Sequence, residues 1–70
     1  MNEAMTVIVN GENRQIDGGS TVIDLLHSLA LDPRTVVVEI NREIVRRPAL
    51  DGTPLHEGDQ IELVHFVGGG

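Results

Sequence analysis

Met5, Val7 and Val9 fall on one side of a period-two pattern with Thr6 and Ile8 on the other, which predicts a strand. Asn10-Gly11 supplies a turn, and residues 14 to 16 return as a short second strand, making an N-terminal hairpin that Gly18-Gly19 releases. A helix follows. Thr21 and Asp24 have capping-box spacing, in which hydroxyl and carboxylate each bond the other's free backbone amide. Val22, Leu25, Leu26 and Leu29 then recur at i, i+3, i+4 and i+7, one apolar stripe over nearly three turns. Asp32-Pro33 is expected to end this helix, because proline disfavours helical geometry in the residue before it.

Val36, Val38 and Ile40 alternate with Val37 and Glu39 in a third, β-branched strand. Asn41-Arg42 turns the chain back, at a cost of about 1–2 kcal/mol if Arg42 must adopt positive φ. Ile44 and Val45 form a short fourth strand, and Arg46-Arg47-Pro48 leaves the sheet. Residues 49 to 59 read as a connecting loop with turns at Asp51-Gly52 and Glu57-Gly58, and Gln60 to Val67 as the last strand. One helix packed on one face of a mixed sheet of four to five strands buries the leucine stripe with minimal chain, so the fold class is α+β.

Composition narrows this picture. Seventy residues make one domain with a thin core, 40% of the chain is apolar, and without cysteine no disulfide can staple it. Eleven acids against five arginines leave a net charge of −6, the wrong sign for neutralising phosphates. Phe66 is the only aromatic residue, so a base-stacking platform is excluded; the acidity fits a basic protein partner, or solubility alone equally well. No basic region precedes a long apolar run at the N-terminus, and no segment approaches the roughly 20 apolar residues of a membrane span. A cytoplasmic protein is expected, with neither nucleic acid nor membrane as partner. The absence of cysteine also removes any thiol nucleophile or thiolate ligand. His27, His56 and His65 lack metal-ligand spacing, and His27 falls on the helix's solvent side.

Candidate chemistry is concentrated at Gly68-Gly69-Gly70, directly after the apolar segment Ile61 to Val67. Terminal glycines alone also describe a frayed end or an expression scar. Glycine without a Cβ can, however, thread a channel too narrow for side chains, and residues 67 to 70 are expected to form a flexible tail to a single domain spanning 1 to 70. From Phe66 to Gly70 the extended reach is roughly 13 Å at about 3.3 Å per residue. A carboxyl carried that far out can enter another protein's active site.

Val9-Asn10-Gly11-Glu12, Thr21-Val22-Ile23-Asp24-Leu25-Leu26, Val38-Glu39-Ile40-Asn41 with Ile44-Val45, and Gly58-Asp59-Gln60-Ile61-Glu62 through His65-Phe66-Val67-Gly68-Gly69-Gly70 resemble the ThiS sulfur carriers, a β-grasp, ubiquitin-like family. The resemblance spans Met5 to Gly70. It departs from the family pattern where Arg46-Arg47 stands after the Ile-Val pair and proline is delayed to Pro48, a change confined to a loop at the sheet's edge.

The resemblance implies that the Gly70 carboxyl is the reacting group. A terminal carboxyl with a pKa near 3.5 is a carboxylate at neutral pH and a poor electrophile, so it needs activation. In the family a ThiF-like adenylyltransferase of the ubiquitin-activating type spends MgATP on an acyl-adenylate, and sulfur displaces AMP to leave a thiocarboxylate. A sulfur donor such as a cysteine desulfurase relay is implied, its identity left open, and a ThiG-like thiazole synthase uses the sulfur for the thiazole ring of thiamine. The carrier itself binds no cofactor and supplies no catalytic residue; Gly69 and Gly68 form the slender approach. If Ile61 and Leu63 face the helix, Glu62, Val64 and Phe66 project from the open sheet face, so Val64, Phe66 and Val67 are the candidate partner contacts beside the tail. Phe66 fits two placements, a partner anchor or a minor cluster beneath the N-terminal hairpin. Three other readings stay open: a MoaD-like carrier for molybdopterin, a ubiquitin-like modifier joined to lysines through Gly70, and a β-grasp binding module with passive glycines.

Overall fold

The computed structural model describes residues 3–65. Phe66, Val67, Gly68, Gly69 and Gly70 lie outside that range, as does the end of the expected last strand.

Strands β1 (Ala4–Val9) and β2 (Glu12–Asp17) form the N-terminal hairpin, followed by helix α1 (Val22–Ser28), β3 (Val36–Ile40), β4 (Glu43–Val45) and β5 (Gln60–His65). They assemble one five-stranded sheet in the order β2-β1-β5-β3-β4. β1 and β5 run parallel at its centre and every other pair is antiparallel. This is the expected mixed α+β sheet.

Both hairpins close through two-residue loops, Val9 pairing with Glu12 and Ile40 with Glu43. Such loops match strand twist best when both central residues have positive φ. Asn10 and Gly11 supply 49° and 84°, Asn41 and Arg42 supply 51° and 75°. Arg42 therefore does carry the left-handed strain. The tight first turn also extends β2 well beyond the expected 14 to 16, since all six of its residues pair with β1. At its end Gly18 donates to the Glu3 carbonyl at 2.7 Å, and a Cβ there would collide with that same oxygen.

The capping box forms as read: Asp24 N donates to Thr21 Oγ1 and Thr21 N to Asp24 Oδ2. Helix starts leave further amides without intrahelical partners, and here a distant loop accepts from them. Val22 N donates to the Thr53 carbonyl and Ile23 N to that of Leu50. The segment read as a plain connector is thus structural. Leu50 and Leu55 are buried within it, and a 3-10 turn occupies Arg47–Ala49.

The expected helix end at Asp32-Pro33 is wrong. α1 has only seven residues and closes in a Schellman arrangement, with Leu31 N donating to the Leu26 carbonyl and Ala30 N to that of His27. Ala30 takes the left-handed position at φ 58° without being glycine, which hid the stop from the sequence. Leu29 becomes the C-cap and is half-buried. Pro33 instead opens a 3-10 turn, Pro33–Thr35, capped by Asp32. The core lies between α1 and the sheet: Val7, Val9, Val22, Leu25, Leu26, Val36, Val38 and Ile61 join Leu50 and Leu55. Among the described residues no helix is long and apolar enough to cross a membrane.

Candidate functional site

β5 delivers the chain to residue 66, so what fixes β5 fixes the root of the glycine segment. Its lower half lies between two full neighbours, with Ile61 opposite Val9 on one side and Ile40 on the other. Beyond Val9, β1 turns away and β5 would lose its parallel partner. Asn10 replaces it. Asn10 N donates to the Ile61 carbonyl at 2.9 Å, Leu63 N donates to Asn10 Oδ1 at 2.8 Å, and Asn10 Nδ2 donates to the Leu63 carbonyl at 3.2 Å. A side-chain amide offers the same donor and acceptor pair as a peptide unit, so Asn10 extends the ladder by one rung.

The second turn asparagine treats the start of β5 in the same way. Gln60 N donates to Asn41 Oδ1 at 3.0 Å, Asn41 N to the Gln60 carbonyl at 2.8 Å, and Asn41 Nδ2 to Asp59 Oδ1 at 3.1 Å. Both asparagines tolerate positive φ and spend their amides on the same strand. Sequence reading assigned them only the turn role, because the partner of Asn10 lies 53 positions away.

At the upper end His65 pairs with Val36, and its Nε2 lies 3.1 Å from Thr35 Oγ1. Threonine has one proton to give, and Thr35 gives it to the Asp32 carbonyl at 2.8 Å. His65 is therefore the donor in the contact, and the hydroxyl is held as an acceptor, not activated as a nucleophile. Asp32 is itself engaged by Arg34, whose Nη2 and Nε donate to its carboxylate at 2.8 and 3.1 Å. These bonds, with the Arg34 charge, lower the Asp32 pKa to about 2. The 3-10 turn, β3 and the end of β5 are thereby tied together beside the last described residue.

Strand parity places the flanking surfaces as expected. Ile61 is buried and Leu63 packs on the core, whereas Glu62 and Val64 face away from α1. Val64 lies opposite Val37 and is exposed on the open sheet face. Phe66, Val67 and the three glycines lie outside the described residues. On the helix side an open groove of about 350 Å³ reaches the end of β5, lined by Leu29, Leu31, Val36, Leu63 and His65 among others. It opens because α1 stops at Ser28 and leaves the upper sheet thinly covered. A larger groove, about 540 Å³, runs between β2 and α1, but none of its lining residues belongs to β5. The expected solvent-side placement holds for His27, and His56 is also exposed; among the described residues no three of His, Cys, Asp or Glu could hold a metal ion.

The sequence model of the ThiS family matches residues 7–70. The chain is 42% identical over 66 residues to a thiazole synthase of Magnetococcus marinus and 41% identical over 66 residues to one of Paramagnetospirillum magneticum. Each match covers 94% of this chain and 20% of the relative, so the chain spans about a fifth of the length of these thiazole synthases. It is 46% identical over 50 residues to the sulfur carrier protein ThiS of Bacillus subtilis, covering 71% of this chain and 76% of that one. The crystal structure of the thiamine biosynthesis protein ThiS from Geobacter metallireducens superposes with a TM-score of 0.80 at 38% identity, over 94% of this chain and all of that one. A five-stranded β-grasp sheet with one helix, and a family pattern that runs from the first strand through the glycines, lead to one conclusion: the chain belongs to the ThiS family.

Proposed function

We propose that this protein is a sulfur carrier for thiamine biosynthesis, acting as a co-substrate of partner enzymes. In this reading the Gly70 carboxylate attacks the α-phosphorus of ATP on a ThiF-like adenylyltransferase, releasing pyrophosphate and forming an acyl-adenylate. A sulfur nucleophile from the donor then displaces AMP and leaves a thiocarboxylate, which a thiazole synthase consumes. ATP and magnesium belong to the adenylating partner. Gly68 and Gly69 form the narrow approach, with Val64, Phe66 and Val67 as contacts at its root. One observation carries the reading: the ThiS family pattern includes the glycines at 68–70, and they follow a β5 pinned by Asn10 and His65. A rigid root under a side-chain-free segment suits a group that must be presented to another protein's catalyst.

Intact mass spectrometry tests it. After incubation with the adenylyltransferase, MgATP and a sulfide source, one oxygen of the chain is replaced by sulfur, and the change maps to Gly70. An unchanged mass, under conditions that load a known carrier, rejects the reading. Isopeptide-linked lysine peptides without sulfur incorporation would favour the ubiquitin-like alternative.

A further inference from the structure

The first hairpin turn joins a reactive sequence to the side chain that holds β5. Asn10-Gly11 puts a side-chain amide directly before a residue with no Cβ, so no side chain hinders the Gly11 backbone nitrogen from approaching the Asn10 Cγ. Both residues are exposed, and a Cβ at Gly11 would meet nothing within 4 Å, so the turn is open to water. Outside the strand ladders, Gly11 N takes part in no backbone hydrogen bond among the described residues. The other described asparagines lack this pairing: Asn13 precedes Arg14 and Asn41 precedes Arg42, whose side chains crowd the same approach. What restrains Asn10 is its own hold on β5. While Oδ1 accepts from Leu63 N at 2.8 Å and Nδ2 donates to the Leu63 carbonyl at 3.2 Å, the amide is fixed towards β5 and cannot rotate onto Gly11 N.

We infer that Asn10 is a site of spontaneous deamidation, and that its conversion releases the upper half of β5 from the first hairpin. When the two Leu63 bonds open, the deprotonated Gly11 nitrogen attacks the Asn10 Cγ. The new C–N bond closes a five-membered succinimide, and the side-chain nitrogen leaves as ammonia, taking up a proton in place of the one Gly11 N lost. Water then opens one of the two imide C–N bonds, giving aspartate or isoaspartate at position 10. Neither product restores the hold. An aspartate carboxylate has no N–H for the Leu63 carbonyl and sets an acceptor oxygen against it. Isoaspartate carries the main chain through Cβ and Cγ, and the extra backbone atom disrupts the two-residue loop that pairs Val9 with Glu12. One side chain is therefore both the lock and its weak point: each opening at Leu63 exposes the amide, and each conversion makes the opening permanent. This limits how long a folded molecule keeps β5 in place, and it does so whether or not the chain carries sulfur.

The test ages the full chain, folded and in guanidinium chloride, in mildly alkaline buffer, because the attacking nitrogen must lose its proton. Peptide mass mapping follows the exchange of NH for O at each asparagine. Asn10 should convert first in both samples, and ~10-fold more slowly in the folded one, since the two Leu63 bonds must open before attack. The converted chain, separated by its extra negative charge, should melt about 4–8 °C below the parent and exchange its Leu63 N–H faster. Conversion first at any other asparagine overturns the inference. So does an Asn10 amide that persists in the folded chain beyond ~100 half-lives of the denatured one, because two bonds of this kind slow the attack by no more than about 10²-fold. A converted chain with the parent's melting temperature and Leu63 protection would refute the release of β5.

Discussion

Asn10→Gly isolates the contribution of one side chain to the hold on β5. Glycine accepts the φ of 49° found at position 10, so the turn survives and only the amide is lost. The backbone bond from Asn10 N to the Ile61 carbonyl also remains. Two bonds disappear, the 2.8 Å one from Leu63 N and the 3.2 Å one to the Leu63 carbonyl. At about 0.5–1.5 kcal/mol each, with the longer bond at the weak end, the loss is about 1.5 kcal/mol. Greater freedom of glycine in the unfolded chain adds about 0.5 kcal/mol. For a domain of this size the resulting ~2 kcal/mol lowers the melting temperature by about 8–16 °C. Circular dichroism measures the melt, and amide exchange by NMR locates the loss: Leu63 N–H should exchange faster relative to Val38, in the core strand alongside. Asn10→Ala removes the same bonds and adds about 1–2 kcal/mol of left-handed strain, so it should melt lower still. An Asn10→Gly protein that melts within about 2 °C of the parent, with Leu63 still protected, would show that the amide does not hold β5.

Ala30→Gly should raise the melting temperature by about 4 °C, because relief of the left-handed strain at φ 58° exceeds the added unfolded-state entropy by about 0.5–1 kcal/mol; a lower melt refutes the Schellman assignment. The Asp32 carboxyl should titrate near 2 by NMR, where the unperturbed value is 3.8. A depressed folded pKa means that its contribution to stability is present above the unfolded value and lost as pH falls from about 4 towards 2, and Arg34→Ala should return the titration towards 3.8. Gly69→Val places a branched side chain in the proposed approach to the catalyst and should slow sulfur loading by ~10²-fold or more; loading at the parent rate would mean that the partner's channel does not need a bare backbone.

Thr35 and His65 form a hydroxyl–imidazole contact at the end of β5, and its proton inventory makes it a tether. The turn asparagines do similar structural work: among the described residues, with five strands and a seven-residue helix, each turn residue that holds a second element spares the chain another.

Local rules were legible in the sequence wherever the deciding interactions lie within a few residues. The period-two runs of β1 and β3, the Asn-Gly hairpin, the Thr21–Asp24 capping box and the alternation that exposes Glu62 and Val64 are set by neighbours at fixed spacing, and all appear as read. The glycines and the residues around them likewise pointed to the family from sequence alone. Where partners are distant, only the folded chain could decide. α1 ends at Ser28 because Ala30 adopts positive φ and lets the 26–31 and 27–30 backbone bonds close, a conformation that its own side chain disfavours and nothing local announces. Leu50 and Leu55 became core because the loop carrying them also accepts the first amides of α1. Asn10 reaches β5 because the parallel β1–β5 pairing brings the first hairpin beside the last strand. A side chain's local preference can be read from its neighbours, but the group it bonds across the sheet depends on strand order, which no single segment of the sequence contains.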